Sequence, residues 1–483
     1  MLNILISLAR VKIVAVLLGP VGIGVVGLFH NALQVAATIS GMGIGVSGLR
    51  KIAASDSRGD HDAMRLVRET LFWMALILGT LGAVVFLLFH AQIASFVISD
   101  AQWASRLGWL ALGIVMLVIY GNQIAVLNGL RRIGDIAKIQ VISAFMASIL
   151  GIAVLLAWGE SGLIGYVLSA SVSSLLVALY FIRRIPVTQG REPTWPEIRA
   201  CARGLFALGI PYMWSSLITL GGFLVVRILV ERQLGSHSLG QFQAAWAIGM
   251  TYIGFILAAM GTDYYPRLSG SIGEPAAARQ LINEQVEVAL LLASPLVVGV
   301  LGLAPWIMPL LYSDAFQPSA AILQWQLLGD ILKVASWPLS MVTLAAGAGR
   351  TYAMTESIAI VVLLAGVFLG IEFLGLIGTG IAYLVSYAIY LPIVYLLARK
   401  RIDFRWQRAV FVQGLTFFAA SLTVAVVGLW SHLLAAVIGV ILAGAFALFG
   451  LARLSHKADL RHAVDRLGPP FRKLTSLFEK YGS

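Results

Sequence analysis

The feature that most constrains this chain is a succession of long apolar runs that fill most of its 483 residues. A bilayer core about 30 Å thick is crossed by about 20 apolar residues in an α-helix. Fourteen runs of this kind occur, near 2–19, 24–46, 69–90, 104–127, 138–157, 162–182, 205–229, 241–261, 285–309, 320–345, 353–372, 376–397, 408–429 and 432–452. The runs are apolar on all sides, whereas barrel strands alternate apolar and polar residues. The sequence therefore predicts an all-α integral membrane protein with about fourteen transmembrane helices.

Composition supports the same class. The chain is 59% hydrophobic and 12% charged, whereas soluble domains average about 45–50% apolar and about 25% charged residues. The net charge of +12 does not indicate nucleic-acid binding, because the cations lie in short connections and not on one face of a folded domain. The single cysteine, Cys201, excludes an intramolecular disulfide framework.

Lys and Arg predict the orientation of the chain, because they concentrate in every second connection between the runs. These basic connections lie at 50–68, 131–138, 183–203 and 399–408, and a basic tail follows residue 453. The connections between them carry almost no Lys or Arg, with the turn at Glu231–Arg232 as the exception. Since basic loops remain on the cytoplasmic side, we expect a multi-pass protein of the bacterial inner membrane with both termini in the cytoplasm.

The chain also repeats itself. Leu18-Gly19 recurs as Leu234-Gly235, and the Gly-Leu-Ile-Gly motif at 162–165 recurs at 375–378, with nearly the same spacing along the sequence. Two six-helix halves related by an axis along the membrane normal would give such a parallel repeat. We therefore expect two pseudo-symmetric six-helix bundles followed by two further helices. The predicted parts are an N-terminal bundle over 1–184, a cytoplasmic linker over 185–204, a C-terminal bundle over 205–400, and the last two helices with a basic cytoplasmic tail over 401–483.

The sequence contains no convincing motif for an enzyme active site. Residues 22–27 and 43–48 both match G-x-G-x-x-G, but dinucleotide binding requires a preceding strand, and both motifs lie among apolar runs. Close packing of helices through small residues is the better interpretation. The sequence contains no P-loop motif, no H-E-x-x-H spacing and only one cysteine. We therefore expect no catalytic residue, no cofactor and no metal site, and transport is the class that remains.

Charged residues inside the apolar runs are the candidate binding residues, since each costs about 2.5–3.5 kcal/mol at a helix centre. Arg10 and Lys12 lie in the first run and Arg227 in the seventh. Arg10 and Arg227 have no acidic residue nearby in sequence and occupy equivalent places in the two predicted halves. A guanidinium matches the geometry of phosphate, so these cations predict a cavity for an anionic, phosphorylated substrate. The alternative is that the long side chains reach out to lipid headgroups.

Three further charges leave more than one interpretation open. Asp330 and Lys333 in the tenth run are three residues apart and share a helix face, so they could neutralise each other. Lys333 could also add to the cationic cavity, and Asp330 could couple transport to a cation. Glu356 in the eleventh run lies close to Arg350 and a helix end, so it could be a coupling residue or an interfacial one.

Several stretches resemble the bacterial polysaccharide flippases of the multidrug/oligosaccharidyl-lipid/polysaccharide exporter superfamily, most of all the O-antigen and enterobacterial-common-antigen translocases. These stretches are 11–27, 240–270, 329–337, 349–356 and 375–387. The resemblance implies a V-shaped bundle that moves an undecaprenyl-diphosphate-linked oligosaccharide to the periplasmic leaflet for lipopolysaccharide or other surface polysaccharide synthesis. It also implies a polysaccharide polymerase and a chain-length regulator as partners. Arg10 falls where the related lipid II flippases keep a first-helix arginine in their cavity.

Three alternatives remain beside this hypothesis. A cation-coupled drug exporter of the same superfamily would have an acidic cavity, whereas the first run offers only cations. A lipid II flippase would share both fold and chemistry, and the sequence does not separate it. A non-transporting membrane scaffold is disfavoured, because it has no reason to bear the cost of charges inside the membrane.

Overall fold

The computed structural model describes residues 2–99, 101–185 and 191–455. Within these ranges the regular structure consists of α-helices and three short 3-10 helices, and no strand is present. The α-helices are α1 Leu2–Gly41, α2 Ile44–Arg58, α3 His61–Leu88, α4 His90–Val97, α5 Ala101–Ala104, α6 Leu110–Gly129, α7 Ile133–Trp158, α8 Leu163–Arg183, α9 Trp195–Ser271, α10 Pro275–Leu311, α11 Ser319–Ala345, α12 Gly349–Leu374, α13 Ile377–Ile402, α14 Arg408–Trp430 and α15 His432–Ser455. The predicted all-α fold is confirmed.

The number of membrane-spanning segments also agrees with the prediction. In the described part of the chain, eleven helical stretches are long and apolar enough to cross a membrane. Three of the eleven are interrupted once: α1 at Gly19, α9 at Gly235, and the stretch that joins α7 to α8 at Gly159–Gly162. Taking each side of an interruption separately gives fourteen helical segments, as the apolar runs predict.

The chain divides into two compact units. The first contains Met1–Gln243 and Leu311–Ser313, and the second contains Ala244–Leu310 and Asp314–Ser483. In the first unit, Ile44, Leu71, Val126 and Leu205 form part of a core that joins α2, α3, α6 and α9. Residues 186–190, near the start of the predicted linker, and the predicted tail beyond residue 455 lie outside the described residues. The predicted domain boundaries stay a prediction.

Backbone geometry reveals the internal repeat directly. Gly19 (φ 61°, ψ −166°) and Gly235 (φ 82°, ψ 169°) interrupt α1 and α9 in a conformation that is essentially restricted to glycine. Gly159 (φ 55°, ψ −136°) and Gly375 (φ 61°, ψ −143°) end α7 and α12 in the same way. The two pairs have the same spacing along the sequence. The spacing of the Gly-Leu-Ile-Gly motif is slightly shorter, because Gly159–Gly162 lengthens this turn in the first half.

The helix α2 is an element that the apolar runs do not predict. Met42 and Gly43 both have positive φ, at 47° and 67°, so α1 ends at Gly41 within the second predicted run. The buried residues of α2 recur every three or four positions along one face: Ile44, Ser47, Gly48, Ile52 and Ser55. The hydroxyl of Ser47 donates to the carbonyl of Leu205 at 2.9 Å, which fixes this amphipathic helix against α9.

The two G-x-G-x-x-G motifs mediate helix packing, as predicted. A Cβ at Gly24 would lie 2.7 Å from the backbone nitrogen of Gly240, and one at Gly43 would lie 2.1 Å from the carbonyl oxygen of Gly209. No side chain fits at such distances. The glycines therefore allow α1 and the turn after it to approach the backbone of α9.

The turn at Glu231–Arg232, which departs from the charge alternation, is fixed by the short helix α4. The carboxylate of Glu231 accepts from the backbone nitrogen of Ser99 at 3.1 Å and from its hydroxyl at 3.0 Å. Arg232 donates to the carbonyl of Ser95 at 2.6 Å, in the last turn of α4, where carbonyl groups lack helical partners. Both charges thus have local partners within the first unit.

Candidate functional site

Two of the predicted cations act on the same histidine in the first unit. Arg10 on α1 and Arg227 on α9 both interact electrostatically with His30, which lies further along α1. We call Arg10, His30 and Arg227 the arginine cluster. The interruption of α1 at Gly19 lies between Arg10 and His30. The interruption of α9 at Gly235 follows Arg227 by about two helical turns.

The two interrupted helices meet at a very close backbone contact, which brings the cluster together. A Cβ at Gly240 would lie 1.8 Å from the carbonyl oxygen of Pro20 and 2.8 Å from its Cα. Both residues follow the glycine interruptions of their helices closely. This contact places the segment of α1 that carries His30 against the segment of α9 that carries Gln243.

Arg227 is held by uncharged acceptors. Its side chain is 6% exposed, Nε donates to Oε1 of Gln243 at 2.9 Å, and Nη1 donates to the carbonyl of Phe223 at 2.9 Å. Gln243 has room beside α1 because residue 27 is glycine: a Cβ there would lie 2.4 Å from Cδ of Gln243. Since neither acceptor carries a charge, these two bonds orient the guanidinium without neutralising it.

Arg10 has a donor group that no acceptor in the described part of the chain satisfies. Its Nε is buried and has no hydrogen-bond partner among the described residues, although its charge interacts with Tyr166 of α8. A buried donor without an acceptor costs about 1–3 kcal/mol, and more for a charged group. The side chain of His30 is exposed, so solvent reaches this side of the cluster.

Lys12, the remaining predicted cation of this unit, is half-buried on α1. Residues two apart on a helix do not face each other, so Lys12 and Arg10 point in different directions.

In the second unit, α11 and α13 pack closely around a buried carboxylate. A Cβ at Gly329 would lie 2.6 Å from the ring of Tyr383, and the next residue, Asp330, is 1% exposed. Asp330 accepts from the hydroxyl of Tyr252 at 2.6 Å and from that of Tyr383 at 2.8 Å. Because Gly329 has no side chain, α13 can approach α11 closely enough for the Tyr383 hydroxyl to reach this carboxylate.

Lys333 joins the same group through a tyrosine. Its Nζ lies 3.3 Å from the hydroxyl of Tyr383 and 3.5 Å from Sδ of Met250. In the part of the chain that the structure describes, no ion pair joins Asp330 to Lys333 directly, although their charges interact. The Tyr383 hydroxyl accepts from Lys333 and donates to Asp330, so it bridges the two charges.

Glu356 belongs to this group as well. Its carboxylate accepts from the hydroxyl of Tyr390, and its charge interacts with that of Lys333. Glu356 is half-buried in the second turn of α12. We call Tyr252, Asp330, Lys333, Glu356, Tyr383, Tyr387 and Tyr390 the acid–tyrosine cluster.

Most of the uncharged members of both clusters escape sequence reasoning, but one group carries a signal. Tyr383, Tyr387 and Tyr390 recur at helical spacing along one face of α13, with consecutive ring centroids 5.0 and 6.1 Å apart. His30 is visible in the sequence only as a histidine inside an apolar run. Gln243 carries no distinguishing feature. Its role becomes evident only from its bond to Arg227.

The chemistry of the two clusters is complementary. The arginine cluster presents guanidinium groups that suit an anion with several oxygens, and the acid–tyrosine cluster holds two carboxylates that can bind or exchange a cation or proton. Across the described residues, no group of three or more His, Cys, Asp or Glu side chains is arranged to hold a metal ion. Both clusters suit transport of a charged molecule.

Comparison with known proteins finds flippases and transporters among the proteins that this chain resembles. The lipid III flippases of Escherichia coli (strain K12) and Shigella flexneri are each 26% identical over 405 residues, which cover 81% of this chain and 94% of theirs. An inward-facing multidrug resistance MATE family transporter of the MOP superfamily has a similar structure, with a TM-score of 0.70 at 19% identity over 83% of this chain and 94% of that one. A lipid II flippase in an inward closed conformation has a TM-score of 0.62 at 15% identity, over 89% of this chain and 97% of that one.

The structural likenesses establish that the chain has the same all-helical fold as these two proteins. The relatives are flippases and transporters rather than catalysts. The family described as polysaccharide biosynthesis protein matches residues 13–321, which include the whole of the first unit except its first turns and the start of the second. The chain is therefore a multi-pass membrane protein that belongs to the polysaccharide biosynthesis protein family.

Proposed function

We propose that this protein is a flippase that moves an undecaprenyl-diphosphate-linked oligosaccharide from the cytoplasmic to the periplasmic leaflet of the bacterial inner membrane. The family and the relatives named lipid III flippases support a lipid-linked substrate in surface polysaccharide synthesis. The observation that carries the substrate class is the arginine cluster. Two guanidinium groups in the apolar helices of the first unit both interact electrostatically with His30, and one of them has a buried donor that lacks a partner among the described residues.

The cluster favours a diphosphate on electrostatic grounds. Two opposite unit charges about 4 Å apart attract with about 4 kcal/mol at an effective dielectric constant of about 20. A diphosphate could engage Arg10 and Arg227 together, because each phosphate offers several oxygens to a planar guanidinium. A cationic drug would meet repulsion of the same order. The polyprenyl chain would remain in the lipid while the head group crosses.

The acid–tyrosine cluster is the proposed coupling device. Asp330 is enclosed by two tyrosine hydroxyls and lies near the cation of Lys333, so its charge state would respond to entry of a cation or proton. Glu356 would take part through Lys333. In this proposal Lys12 and Lys333 add to the positive charge that the substrate meets, while movement of the predicted bundles, 1–184 and 205–400, exposes the substrate to each leaflet in turn.

The proposed topology follows from the charge alternation, which would place both termini in the cytoplasm. From the resemblance, the glycan would be of the O-antigen or enterobacterial-common-antigen type. A polysaccharide polymerase and a chain-length regulator would act on the exported product.

Complementation tests the proposed function. Cells depleted of their own lipid III flippase should recover surface glycan when they express this chain, and an equally expressed Arg227→Ala variant should not restore it. Three other outcomes would reject the proposal in favour of an alternative: rescue of cells depleted of lipid II flippase alone, a gain in drug tolerance without glycan export, or export that does not depend on Arg227.

A further inference from the structure

The first unit contains a charged cavity that shares no residue with the arginine cluster. Its volume is about 330 Å³, and it is lined by α3, α6 and α8. Cavities that bind small molecules begin at about 300 Å³. We call this cavity the interfacial pocket. Its lining comes from the start of α3 and the ends of α6 and α8, which are the helix ends next to the basic connections of the sequence.

The rim of the interfacial pocket is positively charged. Arg65, Arg68 and Arg183 line it together with a single acidic residue, Glu69. Arg65 is held in place, because its Nε lies 2.9 Å from Oε1 of Glu69 and its Nη2 lies 3.3 Å from Oε1 of Glu192. Arg68 is three residues further along α3 and therefore on the same face. Three arginines against the two glutamates that contact Arg65, Glu69 and Glu192, leave an excess of positive charge at the pocket.

The lining of the pocket combines polar and apolar side chains. Asn122 and Gln123 of α6 are polar lining residues that are 5% and 8% exposed. Leu71, Leu179 and Ile182 are apolar lining residues, and we call them the apolar wall. One cavity thus offers hydrogen-bonding groups, cations and a hydrocarbon surface, which is the combination that an amphipathic ligand requires.

The apolar wall reaches the outer surface of the helices. Phe72 lines the pocket and is exposed, as are its neighbour Trp73 and Tyr180 of α8. The guanidinium of Arg184 lies over the ring of Tyr180 at 4.3 Å. Tryptophan, tyrosine and basic residues mark the level of lipid headgroups in a membrane. The pocket therefore lies where a lipid can place its headgroup among the arginines and its chains along Phe72.

A cavity in the second unit has no such charge. A second cavity, of about 210 Å³ in the second unit, is lined by residues such as Val286, Ile331, Trp406 and Phe411, and no charged residue is among them. An apolar surface alone would suffice to accommodate hydrocarbon there. The arginines of the interfacial pocket call for an anionic group in addition.

We propose that the interfacial pocket binds the phosphate headgroup of an anionic lipid, whose hydrocarbon chain passes Leu179 and Phe72 into the bilayer. The ligand chemistry is a phosphate ester of net negative charge on a hydrocarbon chain. An anionic glycerophospholipid and a polyprenyl phosphate both have this chemistry. A zwitterionic lipid binds less well, because its ammonium group meets the arginines. The proposal does not depend on which molecule the protein transports.

The test measures lipid binding to the purified full-length chain by native mass spectrometry, with melting temperature as a second readout. The probes are dioleoyl phosphatidylglycerol, dioleoyl phosphatidylethanolamine and undecaprenyl monophosphate. The wild type should retain one anionic lipid in preference to phosphatidylethanolamine. The double variant Arg68→Gln with Arg183→Gln should bind it at least about tenfold more weakly, since a hydrogen bond to a charged group contributes about 1.5–3 kcal/mol.

Two controls keep the result specific. Arg184→Gln removes a neighbouring cation that does not line the pocket, and it should leave lipid binding unchanged. Leu179→Trp fills the apolar wall without changing any charge and should weaken lipid binding, whereas Leu176→Trp on the exposed side of α8 should not. If the arginine double variant does not fold, the comparison of Leu179→Trp with Leu176→Trp still shows whether the lipid binds in the pocket.

The three probes separate the possible sources of the ligand. Stronger retention of phosphatidylglycerol would identify a glycerophospholipid, and stronger retention of undecaprenyl monophosphate would identify an isoprenoid phosphate. Equal retention of phosphatidylethanolamine and phosphatidylglycerol would overturn the proposal. So would binding that survives both the arginine double variant and Leu179→Trp.

Discussion

The hydroxyl of Tyr383 donates a hydrogen bond to Oδ1 of Asp330 at 2.8 Å and lies 3.3 Å from Nζ of Lys333. Asp330 and Lys333 share a face of α11, as their spacing predicts, yet they are joined through this hydroxyl and not by a direct bond. A charged pair that communicates through a tyrosine can change its hydrogen bonds without large movement of either charge. This is the property that a coupling site needs.

Tyr383→Phe should reduce glycan export by about tenfold while the protein still folds. The phenylalanine keeps the ring, which packs against Trp246 and Tyr387, but it leaves Asp330 with one hydroxyl donor fewer. A lost bond to a buried charged group costs about 1.5–3 kcal/mol. Export should be measured at matched protein levels. Tyr395→Phe is the matched control, because the Tyr395 ring stacks on Trp406 in the same helix bundle. Equal export by both variants would remove the Tyr383 bridge from the mechanism.

The double replacement of Asp330 and Lys333 by alanine should lower the melting temperature less than either single replacement does. Removing one of two interacting buried charges leaves the other without compensation, which costs several kcal/mol, whereas removing both avoids that penalty. The measurement is a double-mutant cycle on the melting temperature of the purified protein, because export would also depend on the proposed coupling role of Asp330. If the effects of the two single changes simply add, the two charges do not act as a pair.

Gly240→Ala should lower the melting temperature of the purified protein by several degrees. The added Cβ would lie 1.8 Å from the carbonyl oxygen of Pro20, so α1 and α9 would have to separate, and overpacking of this kind costs about 1–3 kcal/mol. Gly221→Ala on the same helix meets only an ordinary contact, 3.8 Å from Leu217, and should be neutral or stabilising by up to about 1 kcal/mol. A neutral Gly240→Ala would show that the helices are not in close contact there.

The membrane-spanning part of the fold is predictable because lipid imposes one solution on every run. Each run must satisfy its own backbone groups, and a helix does so locally. The ends of the helices are harder to predict, because a helix can continue beyond the apolar residues that lie in the lipid. Thus α9 begins at Trp195, well before its apolar run. The helix α2 is missed for the opposite reason: it is short, and Arg50, Lys51 and Arg58 give it the composition of a connection.

The site is only partly predictable for a different physical reason. A charge inside an apolar run is conspicuous because burial is costly, so the candidate residues Arg10, Arg227, Asp330, Lys333 and Glu356 stand out in the sequence. Their partners are the uncharged groups of Gln243 and the tyrosines, which cost little to bury. A tyrosine in an apolar run is indistinguishable from a packing residue until the acceptor of its hydroxyl is known.

The backbone repeat also places the two arginines more accurately. At the spacing that relates Gly19 to Gly235, the counterpart of Arg10 is Val226 and not Arg227. The two arginines are therefore one position out of register and project from their helices about 100° apart. The difference is consistent with their unlike surroundings, since Arg227 is bonded to Gln243 and the Nε of Arg10 has no partner among the described residues.

Labelling from outside intact cells should confirm the predicted orientation. In a Cys201→Ser background, single cysteines at the exposed positions 58, 191 and 401 should remain unmodified by a membrane-impermeant thiol reagent, because basic connections face the cytoplasm. A cysteine at exposed Gln92, in a connection with almost no basic residues, is the positive control. Modification of two or more of the first three positions would contradict the predicted topology.

Reconstitution into liposomes can show whether the arginine cluster carries a lipid-linked diphosphate across the membrane. Purified protein in liposomes should move an undecaprenyl-diphosphate-linked oligosaccharide between leaflets, measured by the fraction that an external enzyme can modify over time. The wild type should exceed protein-free liposomes by at least about tenfold. Arg227→Ala should fall to background, and Arg227→Lys should retain part of the rate, because lysine keeps the charge but lacks the planar fork. Wild-type flux through Arg227→Ala would contradict the account.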